Sequence, residues 1–106
     1  MGGPQNSASE FNIGGIDEVI HGRIRLGIMA YLSGVDLADF AEIKSRLQTT
    51  DGNLSVHLRK LEEAGFVQVE KTFVGRKPLT RAQLTPAGRE AFIAYLDQIS
   101  ALVALR

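Results

Sequence analysis

The 106-residue sequence contains no cysteine, which excludes disulfides, a thiolate nucleophile, thiol redox sensing and any cysteine-ligated zinc. Absence of cysteine also fits a reducing compartment, and a cytoplasmic location is expected on that ground. Histidine is scarce: His21 and His57 stand 36 positions apart, with no carboxylate at ligand spacing, so neither a metal nor another cofactor is expected. No apolar run approaches the ~20 residues of a membrane span, and the amino terminus lacks the basic-then-apolar order of a signal peptide, so no membrane partner is expected. Net charge is lacking as well, because 12 basic and 12 acidic side chains cancel. Taken alone, that balance argues against a protein that lives on a polyanion. A phosphate-binding glycine loop, a nucleophile elbow and an acid–base pair are also missing, and Glu62 and Glu63, consecutive on a helix, diverge by about 100°. No catalytic residue is assigned, and an enzyme is not expected.

What is present describes one small globular domain. The chain is 44% hydrophobic and 23% charged, and a domain of this length buries roughly two-thirds of its unfolded surface without staples. Charge is unevenly distributed. Between residues 44 and 81 stand Lys44, Arg46, Arg59, Lys60, Lys71, Arg76, Lys77 and Arg81 against Asp51, Glu62, Glu63 and Glu70. A basic middle offset by acidic residues elsewhere in the chain suggests a nucleic-acid face on a molecule kept neutral overall.

Residues 1–12 are Gly-, Pro- and Ser-rich with nothing periodic to bury, and are expected to form a disordered tail; the domain is expected over 13–106. Apolar residues at 16, 20, 24, 28 and 32 predict a first helix ended by Gly34. Leu26, Met29 and Leu32 carry apolar character round its back, so it is expected to be covered on two sides, by a core and either a partner chain or another helix. A short extended connector over 35–39 leads to a second helix over 40–48. Thr49 and Thr50 offer a cap for a third helix over about 51–64, with Leu54, Leu58 and Leu61 inward and Gly65 as its stop. Alternation over 66–73 predicts a strand, residues 74–78 a turn, and 79–84 a second strand, together a hairpin with a basic tip. Thr85 and Pro86 then open a last helix, striped by Phe92, Tyr95, Leu96, Ile99, Leu102 and Val103, with Leu105 widening the stripe.

The order helix, short strand, helix, helix, strand, basic turn, strand, helix is that of an α+β winged helix-turn-helix. The run from Asn53 to Val67 resembles the recognition helix and following turn of MarR- and ArsR-type transcriptional regulators. His21 to Leu26 is similar to the segment that opens such domains. Phe73 to Pro78 and Leu84 to Arg89 resemble their wing and the lead-in to their last helix. The resemblance covers about residues 16–100, and it is the set of motifs that is specific, none of them singly. It implies binding to double-stranded DNA, a repressor role and responsiveness to a small-molecule effector. Thiolate metal sensing of the ArsR type is excluded by the missing cysteines.

The residues can be weighed independently of that likeness. With the leucines inward, helical geometry puts Gly52, Val56, Arg59 and Glu63 on the opposite side, flanked by Asn53, Ser55 and Lys60. Little bulk, amide and hydroxyl donors, and cations are what major-groove insertion requires. Asn53 is the candidate base reader; Thr49, Thr50 and Ser55 suit phosphate oxygens, and Arg59, Lys60, Lys44 and Arg46 the counterion-release term. Arg76 at the hairpin tip is placed to enter a minor groove, with Lys77 on the backbone. A solvated helix face for Arg59 and Lys60, and an ordinary polar turn for Arg76 and Lys77, are the competing readings. His57 is expected half-buried or backbone-bonded, and His21 packed. The steps 92, 96, 99 and 103 approach a coiled-coil seam. A homodimer through the first and last helices is therefore expected, using Ile20, Leu26, Met29, Phe92, Tyr95, Leu96, Ile99, Leu102 and Val103. A winged helix that binds protein or RNA is the alternative, favoured by the zero net charge.

Overall fold

A computed structural model describes residues 13–104; the tail expected at 1–12, and Leu105, lie outside the described residues. After a short 3-10 turn at Ile13–Gly15 come α1 (Arg23–Ser33), β1 (Ala38–Asp39), α2 (Phe40–Leu47), α3 (Asp51–Glu63), β2 (Val67–Val74), β3 (Lys77–Leu84) and α4 (Pro86–Ala104). The strands form an antiparallel sheet in the order β1-β3-β2. Ala38 pairs with Ala82, and β2 runs against β3 from Val67–Leu84 to Val74–Lys77. This is the expected winged-helix order.

Two boundaries differ from expectation, each for a local reason. The stripe from Ile16 is not helical until Arg23. Asp17 Oδ1 accepts hydrogen bonds from the backbone amides of Val19 (2.8 Å) and Ile20 (3.3 Å), closing a tight turn. Gly22 follows at φ 153°, a conformation that ends any helical continuation. Ile20 is fully buried all the same. The wing turn is also shorter than residues 74–78, since pairing continues to Val74–Lys77 and leaves only Gly75 and Arg76 between the strands. Gly75 supplies the left-handed conformation, at φ 64°, that so tight a hairpin needs. Lys77 and Pro78 are therefore strand residues. Pro78 is tolerated because the Phe73–Pro78 pair neighbours the pair that closes the turn, where ladder bonds are not formed, and β1 does not reach it.

The core gathers Ile24, Ile28, Met29 and Leu32 of α1, Ile43 of α2, the three leucines of α3, Val67, Ala82, and Phe92 and Tyr95 of α4. α1 packs against α2, α3, β3 and α4, which is why it is apolar on two sides. That corrects part of the expected dimer surface. Ile20, Met29, Phe92 and Tyr95 are buried within the single chain and are not available to a partner. Leu26 and Ile99 are half-buried against the same core. Leu102 is half-buried, and Leu96 and Val103 are exposed.

The end of α3 is tied to the start of α4. Thr85 Oγ1 donates to the Gly65 carbonyl at 2.6 Å and accepts from the Gly88 amide at 2.9 Å, while the Thr85 amide donates to the Phe66 carbonyl at 3.0 Å. Thr85 is thus the expected N-cap, with Pro86 in the first turn. Gly88 fits only because it lacks a side chain: a Cβ there would lie 2.0 Å from the Phe66 carbonyl oxygen.

Candidate nucleic-acid interface

The helix-turn-helix is fixed by its caps. Asp39 accepts from the Glu42 amide at 2.7 Å to start α2, and Thr50 Oγ1 accepts from the Asn53 amide at 3.2 Å to start α3. Between them the chain reverses at Gln48, which takes the left-handed conformation (φ 52°, ψ 50°) without being glycine. α3 ends in a Schellman arrangement, with the Phe66 amide bonded to the Leu61 carbonyl and the Gly65 amide to that of Glu62. Gly65, at φ 82°, is the left-handed residue.

Leu54, Leu58 and Leu61 are buried, and Gly52, Asn53, Ser55, Val56, Arg59 and Lys60 are all exposed. One face of α3 thus presents an amide, a hydroxyl, two cations and the Val56 methyls, at the glycine-lightened end of the helix. Lys44 does not point freely outward: its Nζ lies 2.9 Å from Asp51 Oδ1. An exposed pair of this kind contributes little and can exchange Asp51 for a phosphate. Arg46 lies 5.7 Å from the centre of the Tyr31 ring, and the Tyr31 hydroxyl donates to Glu42 Oε2. That hydrogen bond, with burial and the Glu42 charge, raises the Tyr31 pKa above the usual phenol value. Of the two threonines, Thr50 is exposed and caps α3, whereas the Thr49 hydroxyl is buried with no hydrogen-bond partner among the described residues. Thr49 is therefore part of the turn's interior and does not offer its hydroxyl to a phosphate.

The wing stands beside α3. A groove of about 360 Å³ separates them, walled by Ser55, Leu58, Arg59 and Glu62 of α3 and by Val69, Lys71 and Thr80 of the sheet. Arg76 is exposed at the tip, with Lys77 one position into β3. Cations thus occur on the helix, on the sheet wall and at the tip.

Arg25 of α1 was not singled out by its sequence context, yet it positions α3. Its Nη1 lies 3.1 Å from His57 Nδ1, and its Nε donates to the Val19 carbonyl. Arginine only donates, so Nδ1 is the acceptor and the neutral ring carries its proton on Nε2. Burial, reinforced by the charges of Arg25 and Lys60, lowers the His57 pKa. His57 is half-buried as expected, but its partner is a side chain and not the backbone. His21 is exposed where packing was expected; its Nδ1 lies 2.9 Å from the Tyr95 hydroxyl. Among the described residues there is no group of three or more histidine or acidic side chains placed to hold a metal. No helix among them is long and apolar enough to cross a membrane.

Four helices and a three-stranded antiparallel sheet, with a helix-turn-helix and a two-stranded wing among them, define a winged helix-turn-helix protein of the transcriptional-regulator type. Residues 24–103 match the family model described as a winged helix DNA-binding domain, and the chain belongs to that family. It is 38% identical over 82 residues to an uncharacterised protein of Methanocaldococcus jannaschii, covering 77% of this chain and 89% of the other. Among solved structures it resembles a transcriptional regulator homologue from Pyrococcus horikoshii, with a TM-score of 0.78 at 33% identity, covering 83% of this chain and 87% of that one. A MarR-family transcriptional regulator from Silicibacter pomeroyi shares the fold at a TM-score of 0.61 and 24% identity, over 94% of this chain and 61% of its own. The family is one of regulators and not of enzymes.

Proposed function

We propose that this protein is a sequence-specific regulator of transcription that binds duplex DNA as a homodimer, inserting α3 into the major groove and the tip of the wing into the flanking minor groove. The observation that carries the reading is the exposed face of α3, where Asn53, Ser55, Val56 and Arg59 stand together beside a wing tipped by Arg76. Each has chemistry for the task. The Asn53 amide can both donate to and accept from adenine, Val56 can meet a thymine methyl, and Arg59, Lys60 and Lys77 suit phosphates. A domain that does no more than hold duplex acts by keeping other proteins off the same DNA, so repression is the proposed sign. The second copy is placed along α4, where Leu96 and Val103 are exposed beside half-buried Ile99 and Leu102.

The test is fluorescence anisotropy of a labelled mixed-sequence duplex between about 50 and 200 mM salt. Binding should weaken steeply with salt, and Arg76→Ala should lower affinity on every sequence and reduce the salt slope by about one. Asn53→Ala should cost about 1–3 kcal/mol on a selected operator and relax preference at one base pair. Absence of binding at the lowest salt overturns the reading in favour of a protein or RNA partner.

A further inference from the structure

The two faces of the wing ribbon differ. Val67, Val69, Lys71 and Phe73 alternate onto one face, and the register sets Leu84, Ala82, Thr80 and Pro78 opposite them. That face is turned towards α3. Val67 and Ala82 are buried in the core, while Val69, Lys71 and Thr80 wall the groove shared with Ser55, Leu58 and Arg59. Phe73 and Pro78 continue the same face outward, roughly 7 Å beyond Lys71 and Thr80. Both are exposed, Phe73 to 68%, more than any other large apolar side chain among the described residues. A phenylalanine at this place does nothing for the core.

Its surroundings indicate what it meets. Lys71 shares its face and Arg76 stands at the adjoining turn, while Lys77, in register with Val74, is on the other face. The nearest carboxylate on the ribbon, Glu70, is on the opposite face, in register with Arg81. An apolar ring bordered by cations, on the side that carries the exposed face of α3, fits a partner that is anionic at its rim and apolar within. The minor groove of duplex DNA has that construction, with phosphates along its edges, deoxyribose walls and base edges at its floor.

We propose that Phe73, backed by Pro78, enters the minor groove beside Arg76 and packs against its sugar walls and base edges, so that the wing binds through an apolar contact as well as through charge. This rests on the DNA-binding reading above. Contacts of this kind favour base steps that open readily, so flexible pyrimidine–purine steps under the wing should be preferred without any hydrogen bond to them.

The experiment uses the full chain and a fluorescein-labelled mixed-sequence duplex of about 30 base pairs, with affinity measured across the same salt series. Phe73→Ala should weaken binding by about tenfold at every salt concentration, as expected when a buried aromatic contact is lost, and leave the salt slope unchanged. Phe73→Leu should recover most of that loss. Val74→Ala, equally far out but on the opposite face, should stay within about twofold of the wild type. Arg76→Ala, by contrast, should change the slope. Unaltered thermal unfolding of Phe73→Ala and Phe73→Leu would separate binding from folding. If the wild type binds duplex with a steep salt dependence and Phe73→Ala binds equally well, the DNA reading stands and the apolar contact is overturned. A change in sedimentation with unchanged DNA binding would assign Phe73 to contact between copies and overturn it equally. Failure of the wild type to bind any duplex would overturn both.

Discussion

At position 88 a single hydrogen atom decides whether two elements can meet. Any Cβ there would overlap the Phe66 carbonyl, which already accepts from the Thr85 amide. Backbone cannot yield as a flexible side chain can. Gly88→Ala should therefore destabilise by about 3 kcal/mol or more, read as a fall in the denaturant midpoint, whereas Thr85→Ala should cost about 1 kcal/mol for its lost cap. His57 is tuned by neighbours and not by shape. Burial and the Arg25 and Lys60 charges hold its pKa below the ordinary 6.5, so as pH falls the unfolded chain takes up the proton first. The contribution to stability is present in full above the unfolded value and is lost as pH falls from there through the lower folded value. The melting temperature should drop as pH falls below the ordinary histidine value of 6.5, and His57→Gln should flatten that part of the profile. Residue identities on the exposed face of α3 were legible in the sequence because three leucines fix the helix phase and everything else follows by rotation. Arg25 and the inward Thr49 hydroxyl were not, since each depends on which element crosses α3 and how closely.

Among the elements, α4 poses the largest energetic question. Phe92 and Tyr95 anchor its first half in the core, while Leu96 at 46% and Val103 at 52% exposure continue along the second. A second copy packed along this stripe, as proposed above, would remove its exposed apolar surface from water. Leu96→Glu should convert a dimer to an 11.5 kDa species in sedimentation without altering the helical signal, because Leu96 holds nothing in its own chain's core. A wild type that already sediments as a monomer at micromolar concentration would remove the dimer from the account. Element types followed from periodicity in every case, and the errors lay at boundaries. Residues 16–22 have helical spacing but end in a turn held by Asp17 and broken at Gly22. The five-residue stretch that read as a wing turn contains a proline, which suggests loop, yet the unbonded side of an antiparallel pair accepts it. The four residues expected at a partner surface and found in the core share one cause. An apolar helix back looks the same in sequence whether its own chain or another covers it.

For the whole molecule, neutrality is the sum of unlike parts. The basic middle is what the proposed DNA contact would draw on, and the acidic amino-terminal part balances its charge. If two copies join through α4, their α3 helices should address half-sites about 10 to 10.5 base pairs apart. Inserting roughly half a helical turn between half-sites should then reduce affinity towards that of one half-site, measurable by the same anisotropy titration. Equal affinity for the in-phase and out-of-phase duplexes would show that each copy binds alone.

The tie between Gly65–Phe66 and Thr85–Gly88 closes the hairpin at its root. Past Val67, Val69 and Ala82, which still pack in or on the core, the outer part of the hairpin is anchored at both ends to the body and adds little to that core. The wing is therefore an exchangeable part. Adding two residues to each strand next to Gly75 and Arg76 would preserve the facing of every side chain and carry the tip outward by about 7 Å. A lineage, or an experimenter, could retune how far along the DNA this domain reaches without rebuilding the scaffold that holds it.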